Sequence, residues 1–143
     1  QIHYSNTHQG YSLSVSAALE VQKIIQNKKF LKEVNKKGIY LRNLIGKEFV
    51  NSPFFLNVRG RGLRNSLEYK TTNNNAFGTL LKHEMLKKNV FIDAKWHRIC
   101  FCFSLKISYK EIENNLEKIF DTFNLIEKNW NKYKKKIVNQ KSF

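Results

Sequence analysis

Near the amino terminus a hydroxyl, a glycine and the start of a helix follow one another, in Thr7-His8-Gln9-Gly10-Tyr11-Ser12-Leu13-Ser14-Val15-Ser16-Ala17-Ala18-Leu19-Glu20-Val21. The first amides of a helix have no acceptor within it, and its dipole is positive at that end. Together with the Thr7 hydroxyl they form a plausible cradle for a phosphate. Other chemistry is thinly represented. Gly60-Arg61-Gly62 has the G-x-G shape of a dinucleotide loop, but no third glycine and no helix follow, so a turn with unusual backbone angles is expected. His3, His8, His83 and His97 show no metal-ligand spacing, and His83, on the polar side of a helix, is expected in solvent. Cys100 and Cys102 are separated by one residue on a strand-like run. They are taken to point to opposite faces, as buried reduced thiols that neither bridge nor share a metal. No Ser-His-Asp or Cys-His arrangement follows from the order of residues.

These residues must be positioned by a small fold. A chain of 143 residues with 41% hydrophobic and 13% aromatic content fits one domain with a modest core and excludes intrinsic disorder. One proline and six glycines are too few for a turn-rich all-β domain. The formal charge of +15 raises the alternative of a small basic nucleic-acid-binding module. Its lysines are spread over every polar face, however, with a dense run only from Lys132 to Lys136, and aromatics rarely alternate with them. Solvated surface is the preferred reading. No run of about 18 apolar residues is present, so no transmembrane helix is expected. The opening Gln-Ile-His-Tyr-Ser-Asn is no signal peptide and reads as the continuation of a longer chain.

Periodicity sets out the elements. Val15, Ala18, Leu19, Val21 and Ile25 make a helical stripe from Ser12 to about Gln26, with Ser12 or Ser14 as its cap. Phe30, Val34, Gly38, Leu41 and Ile45 mark a second helix from Lys29 to Ile45, and Gly38 on its apolar stripe implies close packing against a neighbour. Strand-like runs at Phe54 to Val58 and Leu63 to Tyr69 follow Pro53. A helix from Ala76 to Lys88 leads to short buried strands at Val90 to Ile92 and Ile99 to Phe103. Ser108-Tyr109-Lys110-Glu111 is a capping box opening the strongest helix, with Ile112, Leu116, Ile119, Phe123 and Ile126 in register. After Lys128 the chain extends that helix or frays. The order predicts an α+β domain, helices packed on a small, mostly antiparallel sheet.

Several of these stretches, taken in order, resemble the class-III pyridoxal-phosphate-dependent aminotransferases (fold type I). Thr7 to Val21 is similar to that family's Thr-containing loop followed by an alanine-rich helix ending Ala-Leu-x-Val. Lys37-Gly38-Ile39-Tyr40-Leu41 resembles its Gly-x-x-Leu helix. Val58-Arg59-Gly60-Arg61-Gly62-Leu63 with Leu67-Glu68 resembles its Val-Arg-Gly-x-Gly-Leu…Glu strand pair. The match covers about residues 4–126, and the joint order makes it specific. Tyr11-Ser12 replaces the usual His/Asn-Pro, and Phe103-Ser104 stands where a Pro-Pro pair is usual.

The resemblance implies the carboxy-terminal small domain of such an enzyme. Residues 1–11 would be a loop entering from a larger domain, 12–128 the small domain and 129–143 a basic tail. The implied cofactor is pyridoxal 5'-phosphate, with the Thr7 hydroxyl donating to the phosphate bound by the other subunit of a homodimer. The implied reaction moves an amino group between an amino acid or amine and a 2-oxo acid, in the cytoplasm. The Schiff-base lysine would lie upstream, so this segment alone would be inactive. The arginine that many members use for the substrate carboxylate falls at Cys100. Arg98, two residues earlier on the same strand face, would take that role with a small shift or else serve packing.

Overall fold

A computed structural model of the chain describes residues 10–140, with side chains up to 135. The order of elements is α1 (Ser12–Ile25), α2 (Lys28–Phe49), β1 (Phe55–Arg61), β2 (Arg64–Tyr69), α3 (Asn74–Lys87), β3 (Asp93–Lys95), β4 (Arg98–Cys102), α4 (Tyr109–Lys128) and α5 (Trp130–Gln140). The chain divides into two compact units, Gln1–Glu33 and Val34–Phe143.

In the first unit α1 buries none of its residues, and Leu13 (68% exposed), Val15, Leu19, Val21 and Ile24 are open. Neither Ser12 nor Ser14 caps it. Tyr11 holds the N-cap position without a side-chain hydrogen bond, because extended backbone begins there and Ser12 is already helical. Gly10, one residue before, takes φ +79°, where a side chain is disfavoured.

The second unit is an α+β domain whose sheet has the order β1-β2-β4-β3 with every neighbouring pair antiparallel. Alternation along the strands sends Leu67, Tyr69, Ala94, Ile99 and Phe101 to the buried face. Val34, Leu41, Ile45 and Phe49 of α2, with Phe77, Leu81 and Met85 of α3, are buried too, at the three- and four-residue spacing of a helix face. Ile112, Leu116, Ile119, Phe123 and Ile126 form the buried stripe of α4, as their spacing predicts. Phe77 is the hub of an aromatic cluster, 4.9 Å from Phe123, 5.0 Å from Tyr69 and 5.4 Å from Trp130 between ring centroids. Each well-oriented ring pair adds about 0.5–1.5 kcal/mol beyond its buried area.

Several elements differ from their sequence expectation. The second helix runs one turn further, to Phe49, because that side chain is fully buried. The third strand is Asp93–Lys95 rather than Val90 to Ile92, since pairing with Arg98–Cys102 selects the residues nearest a tight turn at Trp96-His97. Past Lys128 a distinct helix, α5, follows Asn129. Trp130 at its start is only 4% exposed and donates its indole N–H to Thr72 Oγ1 at 3.0 Å.

The predicted capping box is present. Ser108 Oγ accepts from the Glu111 amide at 3.2 Å, and Glu111 Oε2 accepts from the Ser108 amide at 2.8 Å. The Ser108 amide, and the Ser108 hydroxyl at 2.7 Å, both donate to this carboxylate and hold it below the ordinary range. β1 runs on to Arg61, beyond the expected Val58, so Gly60 and Arg61 pair with Asn65 and Arg64 and the β1–β2 hairpin turn is Gly62-Leu63, with Gly60 at φ +154° and Gly62 at φ +53°. The buried Asn65 ties it down, donating to the Gly62 carbonyl at 2.8 Å and accepting from Arg42 at 2.9 Å. Gly38 meets this turn directly: a Cβ there would lie 2.0 Å from the Gly62 carbonyl oxygen.

Candidate functional site: the open face of the sheet

Helices of the second unit cover one face of the sheet. On the other, alternate residues of β2 and β4 stand side by side: Arg64 opposite Cys102, Ser66 opposite Cys100, Glu68 opposite Arg98. Asp93 of β3 lies opposite Cys100 from the far side, and Phe91, 85% exposed, stands just before that strand. Arg64, Ser66, Phe91, Asp93, Arg98, Cys100 and Cys102 together line a cavity of about 320 Å³.

This arrangement corrects the expectation for the cysteines. They do not point apart. A separation of two is the repeat of a strand, so both thiols share the open face with Arg98, while Ile99 and Phe101 between them are buried. Neither is fully buried, and both are free thiols. Cys100 Sγ lies 3.6 Å from Ser66 Oγ. Among the described residues no group of three metal-ligating side chains occurs.

The charge of the face is cationic where it is not already paired. Glu68 is bound to Arg59 at 2.5 Å, and Asp93 stands 3.9 Å from both Lys82 and Lys95. Among the described residues neither Arg64 nor Arg98 forms an ion pair. The Arg98 Nε–H is buried without an acceptor, and its guanidinium carbon lies 5.9 Å from the centre of the Trp96 ring. A buried donor left unmade costs about 1–3 kcal/mol, and one attached to a cation is best relieved by an anion. Trp96 is itself unusual, 60% exposed with φ +52°. Bulky residues rarely adopt that conformation, and such strain collects where structure serves a site.

Other candidates fall away or lie elsewhere. Thr7, His3 and His8 are outside the described residues. His83 is solvated on α3, 3.4 Å from Glu84. His97 is exposed, and its carbonyl accepts from the Tyr69 amide at 2.8 Å. Burial pushes the Tyr69 hydroxyl far above its ordinary range, so it stays protonated and serves packing. Arg64 and Ser66 were not marked by sequence motifs. The signal for them is the alternation in Arg64-Asn65-Ser66-Leu67-Glu68-Tyr69, which becomes informative only once β4 is known to pair alongside.

No protein-family model matches the chain. A curated relative from Gibberella zeae, named an aminotransferase, is 38% identical over 66 residues, covering 46% of this chain and 13% of that protein. Solved structures match over most of the chain. An acetylornithine aminotransferase from Elizabethkingia anophelis superposes with a TM-score of 0.73 at 19% identity, covering 86% of this chain and 32% of that one. The ornithine delta-aminotransferase of Plasmodium falciparum gives 0.75 at 19% identity over 89% and 32%. An omega transaminase variant from Pseudomonas jessenii gives 0.76 at 20% identity over 90% and 30%. The chain thus spans about a third of the length of the structures it resembles. The order of its helices and strands, with a four-stranded antiparallel sheet in the second unit, gives the chain the fold of the carboxy-terminal part of fold-type-I aminotransferases.

Proposed function

We propose that this chain is the carboxy-terminal part of a pyridoxal-phosphate-dependent aminotransferase that moves an amino group between an amino acid or amine and a 2-oxo acid. The observation that carries the reading is agreement of fold over 86–90% of the chain with three transaminases. The cofactor, when bound, supplies the electron sink for the transfer. The lysine that attaches it belongs to the upstream part of the protein, so this segment is inactive alone. A cytoplasmic homodimer completes the proposal.

The residues present suit that division of labour. α1 starts at an uncapped end behind Gly10, leaving amides available to a phosphate, with the Thr7 hydroxyl as a further donor. The apolar side of α1 needs cover, and the upstream two-thirds of the protein would supply it. On the open sheet face Arg98 offers a guanidinium with one unmet donor, suited to a substrate carboxylate. Its role is to bind and orient that carboxylate, while Arg64 keeps the face positive.

The test is expression of the chain together with its upstream coding sequence. Expected is a protein that takes up pyridoxal phosphate and transaminates, with Thr7→Val weakening cofactor affinity and Arg98→Gln raising KM for the 2-oxo acid by about tenfold or more. No cofactor uptake by the longer protein would overturn the assignment. An unchanged KM in the Arg98 variant would remove that residue from the site.

A further inference from the structure

On the helical side of the second unit, α2 and α4 enclose a groove of about 390 Å³ lined by Leu44, Glu48, Glu113, Leu116, Glu117, Phe120 and Asp121. Its floor is apolar, with Leu44 and Phe120 half-exposed. Its rim is acidic. Four of the chain's 11 carboxylates stand here, in a molecule with 26 Lys and Arg. Glu113, Glu117 and Asp121 succeed one another at one-turn spacing on α4, an arrangement in which like charges repel. Tyr40 donates its hydroxyl to Glu113, but among the described residues none of the four forms an ion pair with a cation. Among the described residues this stripe has no cation paired to it.

We infer that the α2–α4 groove is a docking site for a lysine- or arginine-rich segment of a partner polypeptide. The two halves of the groove match the two halves of such side chains: aliphatic stems lie along Leu44, Leu116 and Phe120, and cationic heads reach the carboxylates. The half-exposed Phe120 ring adds a face for a cation. Charge complementarity directs a basic partner to this acidic groove and away from the rest of a chain whose formal charge is +15. The inference is independent of the transaminase reading, since neither the cofactor nor the open sheet face takes part.

The probe is a fluorescein-labelled peptide of interleaved lysine and leucine, followed by anisotropy with the chain Gln1–Phe143 at low and high salt. Binding is expected to weaken with salt. It should weaken about tenfold or more in the triple variant Glu48→Gln, Glu117→Gln, Asp121→Asn, from three lost ion pairs. Glu113 is left intact because Tyr40 uses it. The leucine-interleaved peptide should bind more tightly than oligolysine of equal charge. Circular dichroism melts check folding of the variant, whose stability should hold or rise as repulsion is relieved. Unchanged affinity in the folded triple variant, or equal binding of an oligoglutamate peptide, would overturn the proposal.

Discussion

Two glycines on one helix should respond to alanine with opposite signs. Gly38 and Gly46 both lie within α2, where alanine is intrinsically favoured by about 1 kcal/mol. At Gly46 an added Cβ meets nothing within 4 Å, so Gly46→Ala should stabilise by about 0.5–1 kcal/mol. At Gly38 the same atom would lie 2.0 Å from the Gly62 carbonyl oxygen, 2.4 Å from its carbon and 2.8 Å from its Cα, where real contacts stay above 3.0 Å. The hairpin turn must retreat by about 1 Å. That turn is backbone, held at φ +53° and by the Asn65 side chain, so it gives way less readily than a flexible side chain. Overpacking of about 1–3 kcal/mol, with about 1 kcal/mol more if the Asn65–Gly62 hydrogen bond is lost, outweighs the gain in helix propensity. A net loss of about 2 kcal/mol lowers Tm by about 8 °C in a domain of this size. Thermal unfolding followed by circular dichroism reads both variants. A Tm for Gly38→Ala equal to or above that of the unmodified chain would show that α2 and the hairpin do not meet as described.

Further outcomes follow from single residues. Trp130→Ala should cost about 3–5 kcal/mol, because it empties a pocket formed with Phe54 and Phe77; a loss below about 1 kcal/mol in chemical denaturation would mean α5 is not docked there. Ser108→Ala should cost about 1 kcal/mol and let the Glu111 carboxyl return toward its ordinary value, which side-chain NMR titration can follow. The carboxyls of Glu84, bonded to Lys87, and Glu111, bonded to the Ser108 amide, are both lowered in the folded chain. Their contribution is therefore complete above the unfolded glutamate range, about 4.3, and is lost as pH falls below it. Denaturation midpoints should decline over that window, and the decline should shrink in Ser108→Ala.

Much of this was legible in the sequence because it is local. The α4 stripe and its capping box need only residues three and four apart, so periodicity and Ser108-x-x-Glu111 sufficed. Gly38 broke a helix preference on an apolar stripe, and a close neighbour was the available explanation. Tertiary contact decided the rest. The last turn of α2 exists because Phe49 finds a core, and Trp130 is buried because Thr72, Phe54 and Phe77 lie where α4 ends. The open face could not be read from one strand. Arg64 and Ser66 gain meaning only beside Cys102 and Cys100, a pairing of residues 38 and 34 positions apart that no local pattern encodes. The groove acids are likewise polar residues of two separate helices in sequence. That none of them forms an ion pair among the described residues depends on which cations the fold brings near them, and that is set by packing over the domain.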